Sequence, residues 1–310
     1  MRIGRINRRE FLRKAGIAAA FCSMPAFIEA GVAPEPQVSV SMAEGGSPGD
    51  NAEKAVAALG GMGAFVSRGD VVVVKPNIGW DRAPEQAANT HPDVVVAVAS
   101  MCLAAGAKIV RIFDRPCNEP RRCYANSGIQ EAVERFAKKN GVEDALRIYH
   151  VEDRKFVRTS IPNALALKEW ELYKDILDAD KVVNVPIAKN HSLSQVTLGL
   201  KNMMGIMGGN RGQVHFRLSE CLVDVSRRVP SHLTVIDAGL ILVRNGPTGG
   251  NLADVEKFGA VFASADIVAA DAMVAEKVFR RKAEDVPHIR KAMESGLGIA
   301  SSSHVRLLRA

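Results

Sequence analysis

Residues 181–217 read KVVNVPIAKNHSLSQVTLGLKNMMGIMGGNRGQVHFR. The opening VVNVPI is a short apolar run rich in β-branched residues, the pattern of a buried strand. Pro186 has no N–H to give a sheet ladder, so it marks the end of that strand. Lys189, Asn190 and His191 follow at once, then Lys201, Asn202, a glycine-rich turn over 205–212, Arg211 and His215. The stretch holds five Lys/Arg and two His but no Asp or Glu, in a chain with 34 carboxylates. A solvated face mixes the two signs. This composition is that of a pocket wall built for an anion.

The same strand signal recurs on both sides. Residues 71–74 are four consecutive valines, a strand buried on both faces, closed by Lys75-Pro76-Asn77. Further strands are expected at 109–113, 147–150, 182–185, 233–236, 260–263 and 305–308. Helical patterns lie between them at 53–65, 94–105, 128–139, 169–177, 218–228, 266–280 and 286–295. Strands alternating with helices specify an α/β fold, with a mostly parallel central sheet and helices on both faces. The main domain is single and spans 53–310, after a linker at 31–52 that has room for one short strand at 38–41. Residues 71–74, 109–113, 182–185 and 233–236 are expected to be neighbours at the sheet's centre. Residues 151–168 read as irregular.

In an open parallel sheet, ligands bind beyond the carboxyl ends of the strands. Those ends carry Lys75 and Asn77, Asp114, Lys189 and His191, and Asp237. Asp114 alone or Asp237 alone reads as a loop residue or helix cap; the convergence of the four strand ends points to a site. The glycine turn can offer backbone N–H groups to a phosphate or carboxylate, but it is not the G-x-x-x-x-G-K-[ST] of a P-loop. No G-x-G-x-x-G follows the first strand, which excludes a dinucleotide fold, and G-x-S-x-G is absent. His191 and His215 with Asp114, Asp237 or Asp271 are the candidate metal ligands, without any H-x-x-x-H or H-E-x-x-H spacing to support them, so the metal and the cofactor stay unassigned. Expected ligand-binding residues are Lys75, Asn77, Lys189, Lys201, Asn202 and Arg211. Expected acid–base residues are His191 and His215, oriented by Asp237.

The first thirty residues have a different character. They carry six Lys/Arg against Glu10 and Glu29, which supplies much of the net charge of +7. Asn7-Arg8-Arg9-Glu10-Phe11-Leu12-Arg13 resembles the twin-arginine export motif, and an apolar stretch too short to span a bilayer follows at 15–27. Residues 1–30 are therefore expected to be a signal segment read by the twin-arginine export machinery, giving a periplasmic or otherwise exported product with no stable membrane insertion after its removal. The remainder carries 35 basic and 32 acidic residues, which is no nucleic-acid coat. Cys117 and Cys123 are close enough in sequence for a disulfide in an oxidising compartment. Cys102 and Cys221 fall in apolar helical patterns and read as core.

Together, Val74-Lys75-Pro76-Asn77, the Thr90-His91-Pro92 turn, Lys189-Asn190-His191, the Thr197-x-Gly199-x-Lys201-Asn202-x-x-Gly205 signature and the segment of Asp237 and Gly246-Pro247 resemble the family called domain of unknown function 362. The likeness covers roughly 70–298. It implies twin-arginine export, common in that family, whereas the appended ferredoxin-like module of many members has no counterpart among these cysteines. A looser likeness to the nickel-pincer lactate racemases, where a Lys holds the cofactor and His residues ligate nickel, carries no residue over. The expected function is an exported protein, an enzyme in one reading, with a basic pocket for an anionic small molecule or cofactor. The alternative is a periplasmic binding or accessory protein, or a redox partner associated with an iron–sulfur or metal centre.

Overall fold

The structure, a computed structural model, describes residues 37–301 and 304–310. The expected signal segment and the first part of the expected linker lie outside those residues. In chain order the strands are β1 (Val38–Glu44), β2 (Val71–Pro76), β3 (Ile109–Ile112), β4 (Leu146–Ile148), β5 (Phe156–Ser160), β6 (Glu169–Tyr173), β7 (Lys181–Val185), β8 (Ile187–His191), β9 (Gln195–Thr197), β10 (Leu233–Leu242), β11 (Val255–Ser264) and β12 (Val305–Arg309). The helices are α1 (Pro48–Ala57), α2 (Pro92–Ala104), α3 (Pro120–Asn126), α4 (Ile129–Asn140), α5 (Lys174–Leu177), α6 (Gly199–Asn202), α7 (Leu218–Arg228), α8 (Ile267–Phe279) and α9 (Pro287–Glu294).

The valine run sits at the centre of the main sheet, whose strand order is β12-β1-β11-β10-β7-β2-β3-β4, with β8 and β9 attached beyond β10. β10, β7, β2 and β3 are consecutive neighbours and run parallel, as their sequences imply. Successive side chains of a strand point to opposite faces. Accordingly Val72 and Val74 enter one core, with α1, α2 and α4, while Val73 enters the other, with α7, α8 and α9. All three valines are fully buried, each worth on the order of 1.5–3 kcal/mol relative to exposure. Covering both faces is what a continuous β-branched strand requires.

α3, β8 and β9 form where no element was expected, the helix expected at 53–65 ends at Ala57, and three segments depart further from the sequence reading. Within the expected linker, 38–44 is a full strand of the sheet, antiparallel to β11 and parallel to β12. Its polar look hides Ser41, which is fully buried and donates from its hydroxyl to Ala55 O at 2.6 Å. The end of the same segment starts α1, where Ser47, just ahead of Pro48, forms a capping box with Asp50. Second, residues 156–160 and 169–173 pair as an antiparallel hairpin, β5–β6, where irregular chain and a helix were expected. The EWELY of β6 alternates polar and apolar, a period of two. Third, β10 runs past Asp237 to Leu242, pairing antiparallel with β11, and a bulge between Ala238 and Leu240 absorbs Gly239. Gly239 had made the strand look finished.

Pro186 ends β7, and Asp237 N donates to its carbonyl at 2.9 Å. The chain then resumes as β8 beside β10, with Asp237 opposite Ile187. That step carries Lys189 and His191 out beyond the ends of β2 and β3, toward Lys75 and Asp114.

Candidate functional site

A cleft of about 660 Å³ opens at the carboxyl edge of the sheet. Five cations line it, Lys75, Arg115, Lys189, Lys201 and Arg211, against one carboxylate, Asp114.

Its floor is an ion pair. Lys75 Nζ lies 2.8 Å from Asp114 Oδ1, and both side chains are buried. Nζ also donates to Pro76 O at 2.9 Å and Asn202 Oδ1 at 3.0 Å. The Asp114 carboxylate accepts in addition from Ile78 N at 2.7 Å and Arg115 N at 2.9 Å. Burial pulls the Lys75 pKa down, and Asp114 works against that shift. Every donor and acceptor here has its partner, which is the condition for a buried pair to be tolerated.

The Thr197-x-Gly199-x-Lys201-Asn202-x-x-Gly205 signature has a physical reason at nearly each position. Asp271, buried on α8, accepts from Gly199 N at 2.6 Å and Leu200 N at 2.9 Å, capping the one-turn α6. Burial raises the Asp271 pKa to about 7, opposed by those two N–H donors. A Cβ on Gly199 would stand 2.8 Å from the Asp271 carboxylate. Asn202 is the hub: its Oδ1 accepts from Lys75 Nζ and from Asn77 Nδ2, and its Nδ2 donates to Lys75 O at 3.2 Å and Asn184 Oδ1 at 2.8 Å. Gly205 passes directly over the ion pair, where a Cβ would fall 1.7 Å from Asp114 Oδ1. Only glycine fits there.

The wall is different from the floor. Lys189 is 1% exposed, and its Nζ donates to Asn77 Oδ1 at 3.2 Å and Ala88 O at 2.5 Å. Lys201 is partly buried, and its Nζ reaches Met204 Sδ at 3.0 Å. Neither forms an ion pair with a carboxylate among the described residues. Burial lowers the pKa of Lys189 to about 7 and that of Lys201 to about 8, with neighbouring cations contributing. Arg211 is likewise held by carbonyls, Arg115 O at 2.8 Å and Pro116 O at 2.7 Å.

Two histidines complete the wall, their rings 6.4 Å apart and nearly parallel at 27°. His191 Nδ1 accepts from Leu193 N at 3.1 Å and Ser194 N at 3.3 Å, which assigns its proton to Nε2. His215 Nδ1 lies 3.2 Å from Gly212 O, a carbonyl that can only accept, so here Nδ1 carries the proton and Nε2 is bare. Burial, then Lys201, lowers both pKa values, His191 to about 3. At neutral pH the pair is uncharged, one ring a donor and the other an acceptor.

Lys75, Asn77, Lys189, His191, Lys201, Asn202, Arg211 and His215 all line this cleft. Asp237 does not. In the middle of β10 its carboxylate accepts from His91 N at 2.8 Å and Gly239 N at 2.9 Å, tying the start of α2 to the sheet. Asp271 is also spent on backbone. Among the described residues no group of three or more His, Cys, Asp or Glu is placed to hold a metal ion. Cys117 and Cys123 are both free thiols; Cys123 is buried in α3 and Cys117 lines the cleft. Sequence reasoning did not place Arg115, Trp80 or Cys117 here, because the loops that bring them carry no motif.

Residues 72–276 match the family model described as Domain of unknown function (DUF362). The chain is 30% identical over 228 residues to the thylakoid-associated protein sll1697 of Synechocystis sp., covering 70% of this chain and 66% of that protein. Among solved structures it is similar to the lactate racemase apoprotein of Thermoanaerobacterium thermosaccharolyticum, at 11% identity over 79% of this chain and 57% of the other, with a TM-score of 0.43. It is similar also to a structural-genomics protein of Thermotoga maritima, at 10% identity over 72% and 57% of the two chains, with a TM-score of 0.34. The chain thus spans just under two thirds of that curated relative and 57% of each solved structure.

Proposed function

The chain belongs to the DUF362 family of domains of unknown function, and on that premise we propose that it binds a small anion, a carboxylate or phosphate, against Lys189 and Lys201, with His191 and His215 as proton donor and acceptor. One observation carries this reading. Lys75 has a carboxylate of its own, whereas Lys189 and Lys201 face the same cleft with none among the described residues. A desolvated ammonium without a counter-charge is costly, and a bound anion supplies what is missing. The histidine tautomers favour chemistry over passive binding, since a donor and an acceptor side by side can give and take a proton on one bound molecule. The reading is therefore an enzyme acting on a carboxylate- or phosphate-bearing substrate.

Lys201→Met tests it. Inorganic phosphate should raise the melting temperature of the wild type, because a ligand that binds only the folded state stabilises it by mass action. In the variant that rise should vanish while the phosphate-free protein stays folded. A phosphate effect that survives the substitution, or a variant that unfolds, counts against the assignment.

We also propose export by the twin-arginine route, supported by Arg8-Arg9 and the apolar stretch after them. The motif lies outside the described residues, among which no helix is long and apolar enough to cross a membrane. Replacing Arg8 and Arg9 together by Lys should leave the precursor in the cytoplasm. Unchanged periplasmic yield removes the proposal.

A further inference from the structure

One group in the cleft has no part in holding an anion. Cys117 is exposed, its thiol is free, and it lines the cleft beside the cationic wall. Its backbone is fixed from two sides. Cys117 N donates to Gly79 O at 2.8 Å, and Arg211 grips the two preceding carbonyls, Arg115 O and Pro116 O. That grip leaves Arg211 Nη2 3.9 Å from Cys117 Sγ. A fixed guanidinium therefore stands beside the one cysteine among the described residues that is open to small molecules. The other described cysteines are buried instead, and burial pushes Cys102 to about 12 and Cys123 and Cys221 to about 11.

A second, independent feature marks the same space as built for a ligand. Thr197 lines the cleft at 3% exposure, and its Oγ1 has no hydrogen-bond partner. Buried hydroxyls are almost always paired. A buried orphan in a cleft wall is waiting for a partner from outside the chain.

We infer that Cys117 is a nucleophile of this cleft, which forms a covalent bond with carboxylate-bearing electrophiles drawn in by Lys189, Lys201 and Arg211. In that step the thiol proton leaves to solvent and the sulfur pair makes an S–C bond. The leaving group departs with the electron pair of the bond it breaks. The inference rests on the cleft's affinity for anions.

Iodoacetate and iodoacetamide test it on the full chain. They are alike in size and differ in charge. Each forms an S–C bond and expels iodide, and peptide mass mapping identifies the cysteine that carries the label. Cys117 should be the residue labelled, with an iodoacetate-to-iodoacetamide rate ratio exceeding that of free cysteine by about tenfold, the lower end of what a focused field does to a counter-ion. Added salt should return the ratio toward that of free cysteine, an arm that needs no variant. Lys201→Met should lower the ratio and Lys201→Arg should keep it. A ratio equal to that of free cysteine, or label on another cysteine in place of Cys117, overturns the inference. Phosphate-induced stabilisation measured alongside separates the two readings. If phosphate stabilises the protein and the ratio is ordinary, the nucleophile falls and the anion site stands; if phosphate has no effect and the ratio is ordinary, both fall.

Discussion

Replacing Lys75 by Met is expected to destabilise the protein by about 3–5 kcal/mol, the cost of stranding one member of a buried ion pair. Lys75 is fully buried and the Asp114 side chain is 3% exposed, so water cannot take over the role of the lost ammonium. Asp114 keeps its two N–H donors, from Ile78 and Arg115, but loses its counter-charge. Asn202 Oδ1 loses one of its two donors at the same time, which loosens the hub that joins β2 to α6. Urea denaturation should show a lower midpoint at an unchanged slope. A loss under about 1 kcal/mol would mean that the backbone donors alone sustain the Asp114 charge. The contrast with Lys201→Met is the informative part. Two lysines of one cleft, in the same neighbourhood, should behave oppositely, because one has a resident carboxylate and the other does not.

Much of this was legible from residue types alone. Four β-branched runs placed four neighbouring parallel strands, since such runs need both faces covered. Strand ends are where such a sheet binds ligands, and eight of the nine residues expected to bind a ligand or move a proton line one cleft. The ninth, Asp237, was misplaced because Gly239 imitates a strand end; a bulge lets the ladder continue through it. The β5–β6 hairpin was missed because the polar–apolar alternation of EWELY is brief and a helical period was read across it. Cys117 shows a different limit. Its spacing from Cys123 suggested a pair, yet Cys123 turns into the core as part of α3, and no sequence pattern told that the loop between them would lean over the cations. The tautomers of His191 and His215 depend on which backbone groups the loops present, and that is decided only by the folded chain.

The central claim is that Lys189 and Lys201 are cations kept for a ligand, and their titration exposes it. In the free protein burial holds them at about 7 and about 8, below the usual lysine value of 10.5. Depressed lysine pKa values make the unfolded chain bind more protons across that interval, so through these groups the stability of the free protein rises with pH from about 7 toward 10.5 and levels off below about 7. A bound anion has the reverse preference, since it needs both ammonium groups charged. The most direct measurement is calorimetric titration of sulfate, whose own charge is constant over the range, at about pH 6 and about pH 9 in buffers of differing ionisation enthalpy. Affinity should fall about a hundredfold or more between them, at about tenfold per pH unit for each proton taken up. Near about pH 8 binding should draw protons from the buffer. Sulfate affinity that does not change with pH, or that survives Lys201→Met undiminished, would contradict the assignment of this cleft to an anion.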